Sequence, residues 1–387
     1  MKLKIAILGS TGSIGKNLLD IVEDDKKKFE IVLLTANKSS KHLIKQAKLF
    51  NVKNIIITNN KSYKYLQKKN KDKKIKIFNN FNNIENIIKK KIDYTMCSIS
   101  GLEGLIPTLK MIKHTKRIAI ANKEAIICGW NIIQKELSTY KTKFIPVDSE
   151  HFSIWYALNN DKKNSIEKIY LTASGGPFYK LPINKFKNIN IEQAISHPNW
   201  KMGKKISVDS STMMNKVFEI IEAKNIFDVP YNKISILIHP ASYVHALIKF
   251  NNGVSKLIAH DTSMKIPIFN TLYWETNKTI KTKNLDLIKL NNLDFKLIDR
   301  KRYPLTKILK ILPNNFSLFE TILVSANDEI VKLFLDNKIK FIQIAPLLLK
   351  FIKLKEFNKY KEIQPKTIDE IVKLNNYVRL KINSMSV

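Results

Sequence analysis

The feature that most constrains the fold is a glycine-rich turn near the start of the chain, GSTGSIG at residues 9–15. It matches the pattern G-x-x-G-x-x-G, follows an apolar run at Lys4–Leu8 and opens an amphipathic stretch at Ile14–Val22. Glycines at this spacing let the backbone turn tightly and approach a pyrophosphate, while the helix N-terminus offers free N–H groups. The order of strand, turn and helix indicates a dinucleotide-binding unit, although an ordinary tight turn would use the same residues.

The first 150 residues alternate apolar runs with amphipathic stretches. The runs predict strands at Lys4–Leu8, Ile31–Leu34, Asn54–Ile57, Tyr94–Ser98, Arg117–Ile120 and Phe144–Val147. Helical spacing lies between them, as at Lys41–Leu49, and the alternation predicts a parallel sheet with helices on both faces. From about residue 300, apolar residues recur every three or four positions. The helices predicted there are Leu305–Leu312, Ser317–Leu335, Ile342–Ile352 and Ile368–Leu380.

Composition narrows the class of protein. The chain has 387 residues, 44% of them hydrophobic and 26% charged, as in a globular protein of two or three domains. Its two cysteines, Cys97 and Cys128, are too few for a disulfide framework or a cysteine zinc site. No apolar run reaches the roughly 18 residues that a membrane helix needs. The N-terminus shows no secretory cleavage site, so a cytoplasmic location is expected.

The net charge of +34 suggests a nucleic-acid-binding protein at first sight. Only four of the 67 basic residues are arginines, however, and arginine is the residue favoured for reading bases and phosphates. The lysines are spread along the chain among abundant Asn and Ile, all encoded by A/T-rich codons. Genomic base bias with solvated lysine faces therefore explains the charge better than a nucleic-acid partner, and the positive field would still attract an anionic substrate.

Two loops after predicted strands suit a phosphorylated cofactor and a ligand at the sheet edge. The second strand is followed by Asn37, Lys38 and Ser39, where the adenosine ribose of a dinucleotide would lie. No carboxylate is present there for a free 2′-hydroxyl, whereas the lysine and serine suit a 2′-phosphate, so the sequence favours NADP over NAD. The motif ANKE at 121–124 follows another strand, and its Lys123 is either a ligand contact or a helix-start charge.

Two segments carry carboxylates that could bind a metal. PVDSEH at 146–151 ends a predicted strand with Asp148 and Glu150, and buried carboxylates need a cationic partner. A hard divalent ion such as Mg²⁺ or Mn²⁺ suits their oxygens, but a helix N-cap followed by a first-turn glutamate explains them equally. Residues 207–222 add Glu219, which could complete a three-carboxylate site or form an i, i+3 ion pair with Lys216 on a surface helix.

Further clusters suit an anionic substrate. Ser210, Asn215 and Lys216 combine hydrogen-bond donors with a positive charge. The bend SGGPF at 174–178 puts a serine directly after a predicted strand. HPNWKMG at 197–203 puts large apolar side chains on a loop, either as a lid over a ligand or packed against their own domain.

These clusters occur together in the order of one family: ILGSTGSIG, ANKE, PVDSEH, SGGPF, HPNW with MG, and ISVDSSTMMNK followed by Glu219. Over essentially its whole length the chain resembles the 1-deoxy-D-xylulose 5-phosphate reductoisomerase family. The resemblance implies an α/β fold with four parts. These are a Rossmann-like NADPH-binding domain at 1–148, an α+β catalytic domain with a mobile flap at 149–275, a linker at 276–298 and a C-terminal helical bundle at 299–387.

The resemblance also implies roles for individual residues. The implied metal ligands are Asp148, Glu150 and Glu219, which with Lys123 form the catalytic set. The implied NADPH contacts are Thr11, Gly12, Ser13, Ile14, Asn37, Lys38, Ser39, Asn122, Glu124 and Gly203. The implied substrate contacts are Ser149, Ser174, His197, Trp200, Met202, Ser210, Asn215 and Lys216, of which Trp200 and Met202 belong to the flap.

The implied reaction is the rearrangement and reduction of 1-deoxy-D-xylulose 5-phosphate to 2-C-methyl-D-erythritol 4-phosphate, in non-mevalonate isoprenoid biosynthesis. NADPH is the implied hydride donor, and Mn²⁺ or Mg²⁺ the implied Lewis acid. A homodimer is expected, with neither a nucleic acid nor a membrane as partner. The alternatives are an NADP-dependent dehydrogenase without isomerisation, which would not need the metal, and a lysine-rich nucleic-acid-binding protein with a vestigial Rossmann domain.

The chain departs from the usual family pattern at four positions. The lysine of the 2′-phosphate loop is usually flanked by Gly and Asn, where this chain has Asn37 and Ser39. The motif HPASYVH has Ala241 in place of Gln, and TSMKIP has Ser263 in place of Asp. Since asparagine tolerates positive φ, we expect the turn at residue 37 to be retained.

Overall fold

The computed structural model describes residues 2–70, 74–158, 166–200 and 202–385, so Lys201 of the HPNWKMG motif lies outside the described residues. The chain forms two compact units. Unit 1 comprises Met1–Ala125, Ile133–Asp148 and Met264–Ile280, and unit 2 comprises Ile126–Ile132, Ser149–Ser263 and Lys281–Val387. Residues 264–280 thus pack with the N-terminal unit, although the residues before and after them belong to unit 2. The apolar pattern of the sequence did not indicate this. The four-part division of the sequence stays a prediction.

The described residues form twelve strands. They are β1 (Leu3–Leu8), β2 (Phe29–Ala36), β3 (Asn54–Ile57), β4 (Lys76–Phe78), β5 (Ile92–Cys97), β6 (Thr115–Ile120), β7 (Lys143–Pro146), β8 (Ile166–Ala173), β9 (Ile234–Ile238), β10 (Val244–Phe250), β11 (Ser255–Ala259) and β12 (Lys296–Leu297).

The helices lie between and after these strands. They are α1 (Ser13–Asp24), α2 (Ser40–Leu49), α3 (Asn60–Lys69), α4 (Ile84–Ile87), α5 (Leu105–Ile112), α6 (Lys123–Thr139), α7 (Ser149–Leu158), α8 (Ile191–Ile195), α9 (Lys204–Ser211), α10 (Met214–Phe227), α11 (Lys265–Leu272), α12 (Leu287–Asn291), α13 (Phe319–Leu335), α14 (Phe341–Phe351) and α15 (Ile368–Met385). Short 3₁₀ segments include Pro304–Lys310, where the sequence predicts an α-helix.

Unit 1 is built on a parallel sheet in the order β4-β3-β2-β1-β5-β6-β7. The central strand β1 places Ile5 opposite Ile31 of β2 and Tyr94 of β5, and all three are buried. Strands with such continuous apolar runs need cover on both faces, which the helices between them supply. This confirms the predicted Rossmann-like architecture. Because the strands are parallel, the loops after β1, β2, β6 and β7 all leave from one edge of the sheet.

Unit 2 contains a mixed sheet in the order β11-β10-β8-β9-β12, in which only β8 and β9 pair in parallel. The strand β12 and the helix α12 lie in the segment that the sequence presents as a polar linker. The C-terminal helices are α13 to α15, and α13 is buried along most of its length. The α+β character of this region and its helical end confirm the predicted fold class. Among the helices described, none has the length and apolar character that a membrane crossing needs.

Candidate active site

The glycine-rich turn of unit 1 has the geometry that the sequence predicts. Gly9 follows β1 with a left-handed φ of +82°, and a Cβ there would meet the backbone oxygen of Ser98 at 2.7 Å. A Cβ on Gly15 would meet the backbone Cα of Ser10 at 2.5 Å. Only glycine fits at either position, so the backbone folds tightly over the start of α1. Among the residues described, no side chain caps this helix, and its first N–H groups suit an anion.

The loop after β2 is exposed and ordered by its neighbours. The side chain of Asn37 donates to the Thr58 hydroxyl at 3.0 Å, and the carbonyl of Lys38 accepts from the Ser62 hydroxyl at 3.0 Å. The backbone of Asn37 is not left-handed. The asparagine at a usual glycine position therefore needs no strained conformation, which corrects the expectation that its tolerance of positive φ would matter. Lys38 and Ser39 are exposed at the start of α2.

The ANKE motif begins α6 at the same sheet edge. The side chain of Asn122 caps the helix by accepting from the Ala125 N–H at 2.7 Å, and it donates to the Gly101 carbonyl at 2.7 Å. Lys123 and Glu124 are buried, with 6% and 7% of their surfaces exposed. The Lys123 ammonium lies 3.5 Å from an oxygen of Asp148, which follows β7. Lys123 is therefore a buried lysine paired with a carboxylate, rather than a solvent-exposed charge at the start of a helix.

In unit 2, two carboxylates converge on one buried ammonium. Glu150 lies in the first turn of α7, and its Oε1 is 2.7 Å from the Lys216 Nζ of α10. Glu219, one turn further along α10, pairs with Lys216 and accepts from the Asn215 amide. Single oxygens of Glu150 and Glu219 lie within 4.8 Å of each other. The structure thus brings together residues from two distant stretches of sequence, as the metal hypothesis requires.

Neighbouring charges, acting against burial, decide the charge state of Lys216 in this cluster. Glu219 is 1% exposed and Lys216 is 4% exposed. Burial disfavours the charged form of Lys216, but the negative charges of Glu150 and Glu219 outweigh it and hold the pKa of the lysine above its usual value. The ammonium is therefore charged at neutral pH, and it compensates carboxylates that would be costly to bury alone.

Asp148 is the last residue of unit 1 and is separated from Glu150 by Ser149 alone. Their Cα atoms are therefore at most about 7 Å apart. The Ser149 hydroxyl donates to the Glu150 carboxylate, and the Ser149 carbonyl accepts from Ser153 at 2.7 Å. Asp148 directly precedes α7 and Glu150 lies in its first turn, so both carboxylates of the PVDSEH motif are close to the start of this helix.

The bend after β8 holds a serine–histidine pair. Ser174 Oγ lies 3.1 Å from His197 Nε2 and accepts from the Gly176 N–H at 3.0 Å. His197 Nδ1 accepts the backbone N–H groups of Asn199 and Trp200, at 3.2 and 3.0 Å. The ring proton must then lie on Nε2, so the histidine donates to Ser174 and leaves the serine hydroxyl free to donate elsewhere. Burial, helped by the charge of Lys216, lowers the pKa of His197 to about 4.

The same bend packs against α9. A Cβ on Gly176, whose φ is +70°, would meet the Ser210 carbonyl oxygen at 3.0 Å. Ser210 is therefore close to the serine–histidine pair. The helix α9 ends at Ser211, and the left-handed residue Met213 then redirects the chain into α10. This sharp turn brings Asn215 and Lys216 near Ser210 without a long loop. The predicted phosphate residues of unit 2 thus come from two adjoining helices, the bend after β8 and the loop that carries His197.

The HPNW segment is held at two points within unit 2. The side chain of Asn199 donates to the Pro240 carbonyl at 2.9 Å and to the Ser242 hydroxyl at 2.8 Å. The Trp200 ring meets the edge of His245 at a centroid distance of 6.0 Å. Trp200 and Met202 are half-buried, whereas Gly203 is exposed at the start of α9.

Sequence reasoning assigned no role to three residues that the structure places beside this cluster. His151, fully buried, donates through Nε2 to the Glu219 carbonyl at 2.8 Å. His260 stacks on His245 with a centroid distance of 3.8 Å. Asp209 is buried next to Ser210. His151 and Asp209 stand inside the motifs PVDSEH and ISVDSSTMMNK, so their positions were a usable signal, whereas His260 lies in a segment without any.

Comparison with known proteins gives consistent results along the whole chain. The family model described as 1-deoxy-D-xylulose 5-phosphate reductoisomerase matches residues 5–129. Models of C-terminal domains of the same enzyme match residues 144–227 and 261–381. The 1-deoxy-D-xylulose 5-phosphate reductoisomerase of Pelagibacter ubique (strain HTCC1062) is 61% identical over 99% of this chain and 100% of its own length. That of Wolbachia pipientis subsp. Culex pipiens is 37% identical over 99% and 97%.

Solved structures agree with the sequence relatives. The reductoisomerase from Zymomonas mobilis in complex with NADPH superposes with a TM-score of 0.88 at 29% identity, covering 100% of this chain and 99% of that one. A DOX-P reductoisomerase in complex with NADPH, fosmidomycin and magnesium superposes with a TM-score of 0.90 at 30% identity, covering 99% and 98%. The chain therefore belongs to the 1-deoxy-D-xylulose 5-phosphate reductoisomerase family.

Proposed function

We propose that this chain rearranges and reduces 1-deoxy-D-xylulose 5-phosphate to 2-C-methyl-D-erythritol 4-phosphate, with NADPH and a divalent metal ion, in isoprenoid precursor biosynthesis. One observation carries the proposal. In a member of this family, the buried Lys216 and Glu219 and the half-buried Glu150 form a charged cluster in the same unit as the Ser174–His197 pair. Burying carboxylates costs desolvation free energy, and a dehydrogenase that catalyses no isomerisation would not need them for a metal ion.

The donor set fits a hard divalent ion. Asp148, Glu150 and Glu219 would hold it through oxygen atoms alone, which are the ligands that Mg²⁺ and Mn²⁺ prefer. Glu150 and Glu219 already approach within 4.8 Å through single oxygens. When bound, the metal supplies a Lewis acid for the oxygens of the substrate, and both Mg²⁺ and Mn²⁺ are proposed to serve.

Unit 1 fits NADPH. The pyrophosphate would lie on the backbone of Thr11, Gly12, Ser13 and Ile14, where Gly9 and Gly15 leave no room for side chains. The exposed Lys38 and Ser39, with Asn37, would bind the 2′-phosphate that distinguishes NADPH from NADH. Asn122 and Glu124, at the start of α6, and Gly203, before α9, complete the proposed cofactor contacts. The cofactor supplies the hydride, and these residues orient it.

The substrate phosphate would be held by Ser174, Ser210, Asn215 and Lys216 together with His197, which acts through the Ser174 hydroxyl that it orients. Ser149 would contact the remainder of the substrate. The low pKa of His197 keeps its ring neutral, with the Nε2 proton committed to Ser174. The Ser174 hydroxyl is then oriented to donate to a phosphate oxygen. Because phosphate binding makes no covalent bond, its free energy can be used to orient the reacting end.

Lys123 is proposed to steady negative charge that develops during the rearrangement. Its ammonium is buried and lies 3.5 Å from Asp148, so its charge acts in a poorly solvated place where electrostatic interactions are strong. Trp200 and Met202 would cover the substrate and exclude water while the flap is closed. The hydrogen bonds from Asn199 to residues 240 and 242 would hold the flap in that closed position.

The proposal is tested by NADPH oxidation with 1-deoxy-D-xylulose 5-phosphate, with and without Mg²⁺ or Mn²⁺. We expect turnover that depends on the metal and stops with EDTA, together with formation of 2-C-methyl-D-erythritol 4-phosphate. Metal-independent oxidation, or a reduced product with an unchanged carbon skeleton, would instead support the dehydrogenase alternative.

We also propose that the chain works as a homodimer in the cytoplasm. Support for the dimer comes from unit 2, where Leu285, Leu287, Ile288 and Leu297 expose between 63% and 85% of their surfaces. Leu285 lies just before α12, the other three lie on α12 and β12, and β12 is an edge strand of the sheet. Apolar side chains this exposed, beside an edge strand, suit a second copy of the chain.

A further inference from the structure

A buried polar contact joins α9 to α13 within unit 2. The Asn327 amide donates to Oδ1 of Asp209 at 2.8 Å, and these residues are 0% and 1% exposed. Lys205, one turn before Asp209 on α9, lies 3.1 Å from its Oδ2 and 2.9 Å from Asp328 on α13. Arg379 of α15 extends the network by pairing with Asp328 at 3.1 Å. None of these side chains has a role in the proposed chemistry.

A buried polar network of this kind costs free energy of desolvation and is not needed merely to hold two helices together. A buried carboxylate loses its hydration, and apolar side chains of similar size usually stabilise a contact at least as well. What directed hydrogen bonds add is a single defined orientation. The helix α9 has only eight residues, so its own hydrogen bonds do not hold it in place and its position depends on its packing.

The residue next to Asp209 is Ser210. Neighbouring residues point about 100° apart around a helix, since one turn takes 3.6 residues. Asp209 therefore anchors one side of α9, while the half-buried Ser210 lies on another side. A rotation or shift of α9 would move Ser210 relative to the bend at Gly176, with which it is already in close contact.

We propose that Asp209 and Asn327 are positioning residues for the substrate phosphate, because their hydrogen bond sets the position of α9 and hence of Ser210. The inference rests on the proposed role of Ser210 in binding that phosphate. It makes α13, from the C-terminal part of the chain, a determinant of substrate affinity, although Asn327 touches no proposed ligand.

The experiment compares Asp209→Asn, Asn327→Asp and the reciprocal double variant D209N/N327D. Asn327→Asp places two carboxylates in contact, and Asp209→Asn removes the charged acceptor with little change in volume. We expect each single variant to raise KM for 1-deoxy-D-xylulose 5-phosphate about tenfold, the size of effect typical of contacting side chains. KM for NADPH should stay unchanged. The double variant, which re-forms the pair with reversed polarity, should bring KM back to within about threefold of the wild type.

Two further variants separate the possible outcomes. Ser325→Ala removes a 2.9 Å hydrogen bond from α13 to Asn375 of α15, and should lower the melting temperature without changing KM. If Asp209→Asn behaves like Ser325→Ala, or if the double variant fails to restore KM, the positioning role is wrong. Ser210→Ala tests the underlying assumption directly. An unchanged KM in Ser210→Ala would overturn the phosphate role of Ser210. If KM is raised in Ser210→Ala but stays at the wild-type value in Asp209→Asn and Asn327→Asp, only the positioning role would be overturned.

Discussion

Burial disfavours the charged form of the ionisable residues in unit 2, and the charges beside each residue decide whether it stays charged. Lys216 stays charged because two carboxylates flank it, whereas Glu320 has mainly the neutral Ser317 as a partner. The Ser317 hydroxyl and N–H donate to Glu320 at 2.7 and 3.2 Å, in the manner of an N-terminal helix cap. The charge of Lys216 is thus compensated by its neighbours, whereas Glu320 has less compensation and favours its neutral form.

Changing Glu219 to Gln should lower kcat by at least about 100-fold, because the amide cannot supply the negative charge that a divalent ion requires. NADPH binding should be nearly unchanged, since the proposed nucleotide contacts lie mostly in unit 1. Steady-state kinetics and a fluorescence titration with NADPH measure the two effects. Glu222→Gln, one turn along α10 and beside His151, is the matched control and should keep its metal dependence. Equal loss of turnover and of NADPH binding in Glu219→Gln would argue against a metal role.

The stability of the protein should depend on pH through Glu320. Burial, opposed by the Ser317 hydrogen bonds, raises the pKa of Glu320 to about 7 from an ordinary value of 4.5. The folded chain therefore keeps a proton that the unfolded chain loses, so stability falls as the pH rises from about 4.5 to about 7. The full effect is on the order of 3 kcal/mol. Glu320→Gln should raise the melting temperature at pH 8 and leave it nearly unchanged at pH 4.5.

Glu329 of the same helix is the matched control for this measurement. There burial is outweighed by Lys332, Asn383 and Arg379, which hold the pKa of Glu329 below its usual value. Glu329→Gln should therefore lower the melting temperature at pH 8, the opposite sign. If both substitutions shift the melting temperature in the same direction at pH 8, the proposed ionisation of Glu320 is wrong.

Two helices are positioned by single residues in left-handed backbone conformations, which few residue types adopt without strain. In unit 1, β1 passes into α1 through the left-handed Gly9. In unit 2, α9 passes into α10 through the left-handed Met213, which is buried. Each turn presents the N-terminus of a helix beside residues proposed to bind an anion. The conformation of the turn, rather than the propensity of the helix, decides where those N–H groups and side chains lie.

Gly9→Ala should weaken NADPH binding at least about tenfold and destabilise unit 1 by about 1–3 kcal/mol, because it adds both a clash with Ser98 and left-handed strain. Fluorescence titration and thermal melting measure these losses. Gly253→Ala isolates the strain, since Gly253 has a φ of +85° but no heavy atom within 4 Å of the place that a Cβ would occupy. NADPH affinity in Gly9→Ala equal to that of Gly253→Ala would contradict the role of this turn.

At the scale of the whole molecule, the excess of lysine is the least informative property of the sequence. Several lysines pair with carboxylates on the surface, as Lys26 does with Glu23 and Lys249 with Glu167. Such exposed pairs contribute little to stability. The surplus charge has its main effect in the long-range field, which attracts anions of any kind.

Duplex DNA should bind only weakly and without saturation at physiological salt. A filter-binding titration at several salt concentrations measures this, since specific binding would show a slope set by the number of phosphate contacts. Tight binding that resists about 0.15 M salt would revive the nucleic-acid alternative.

The proposed dimer makes a separate prediction. Ile288→Asp combined with Leu297→Asp should convert a dimer to a monomer in light scattering after gel filtration, because charges in an apolar interface are costly. Leu380→Asp, at an exposed leucine of α15, is the control and should leave the mass unchanged. A wild-type protein that is already monomeric would contradict the proposal.

Most of the fold could be predicted from the sequence because its signals are local. The strands of unit 1 stand out as apolar runs, and the predicted strand at Asn54–Ile57 has the observed bounds. The short strand β4 and the elements α12 and β12 were missed, because two to five residues are too few to show periodicity. The Pro304–Lys310 segment was predicted as an α-helix, and periodicity alone does not distinguish it from the 3₁₀ helix observed.

The sequence alone determined the parallel sheet, the glycine turn, the family and the residue types of the proposed site, because each depends on near neighbours in the chain or on motifs with a fixed order. Only the tertiary structure decided which charges meet. It placed Lys216 between Glu150 and Glu219, fixed the proton of His197 on Nε2 and joined Asp209 to Asn327, 118 positions away. Contacts between residues so far apart in the chain depend on how the helices and strands pack. The order of residues in a sequence does not give the distances between them in space.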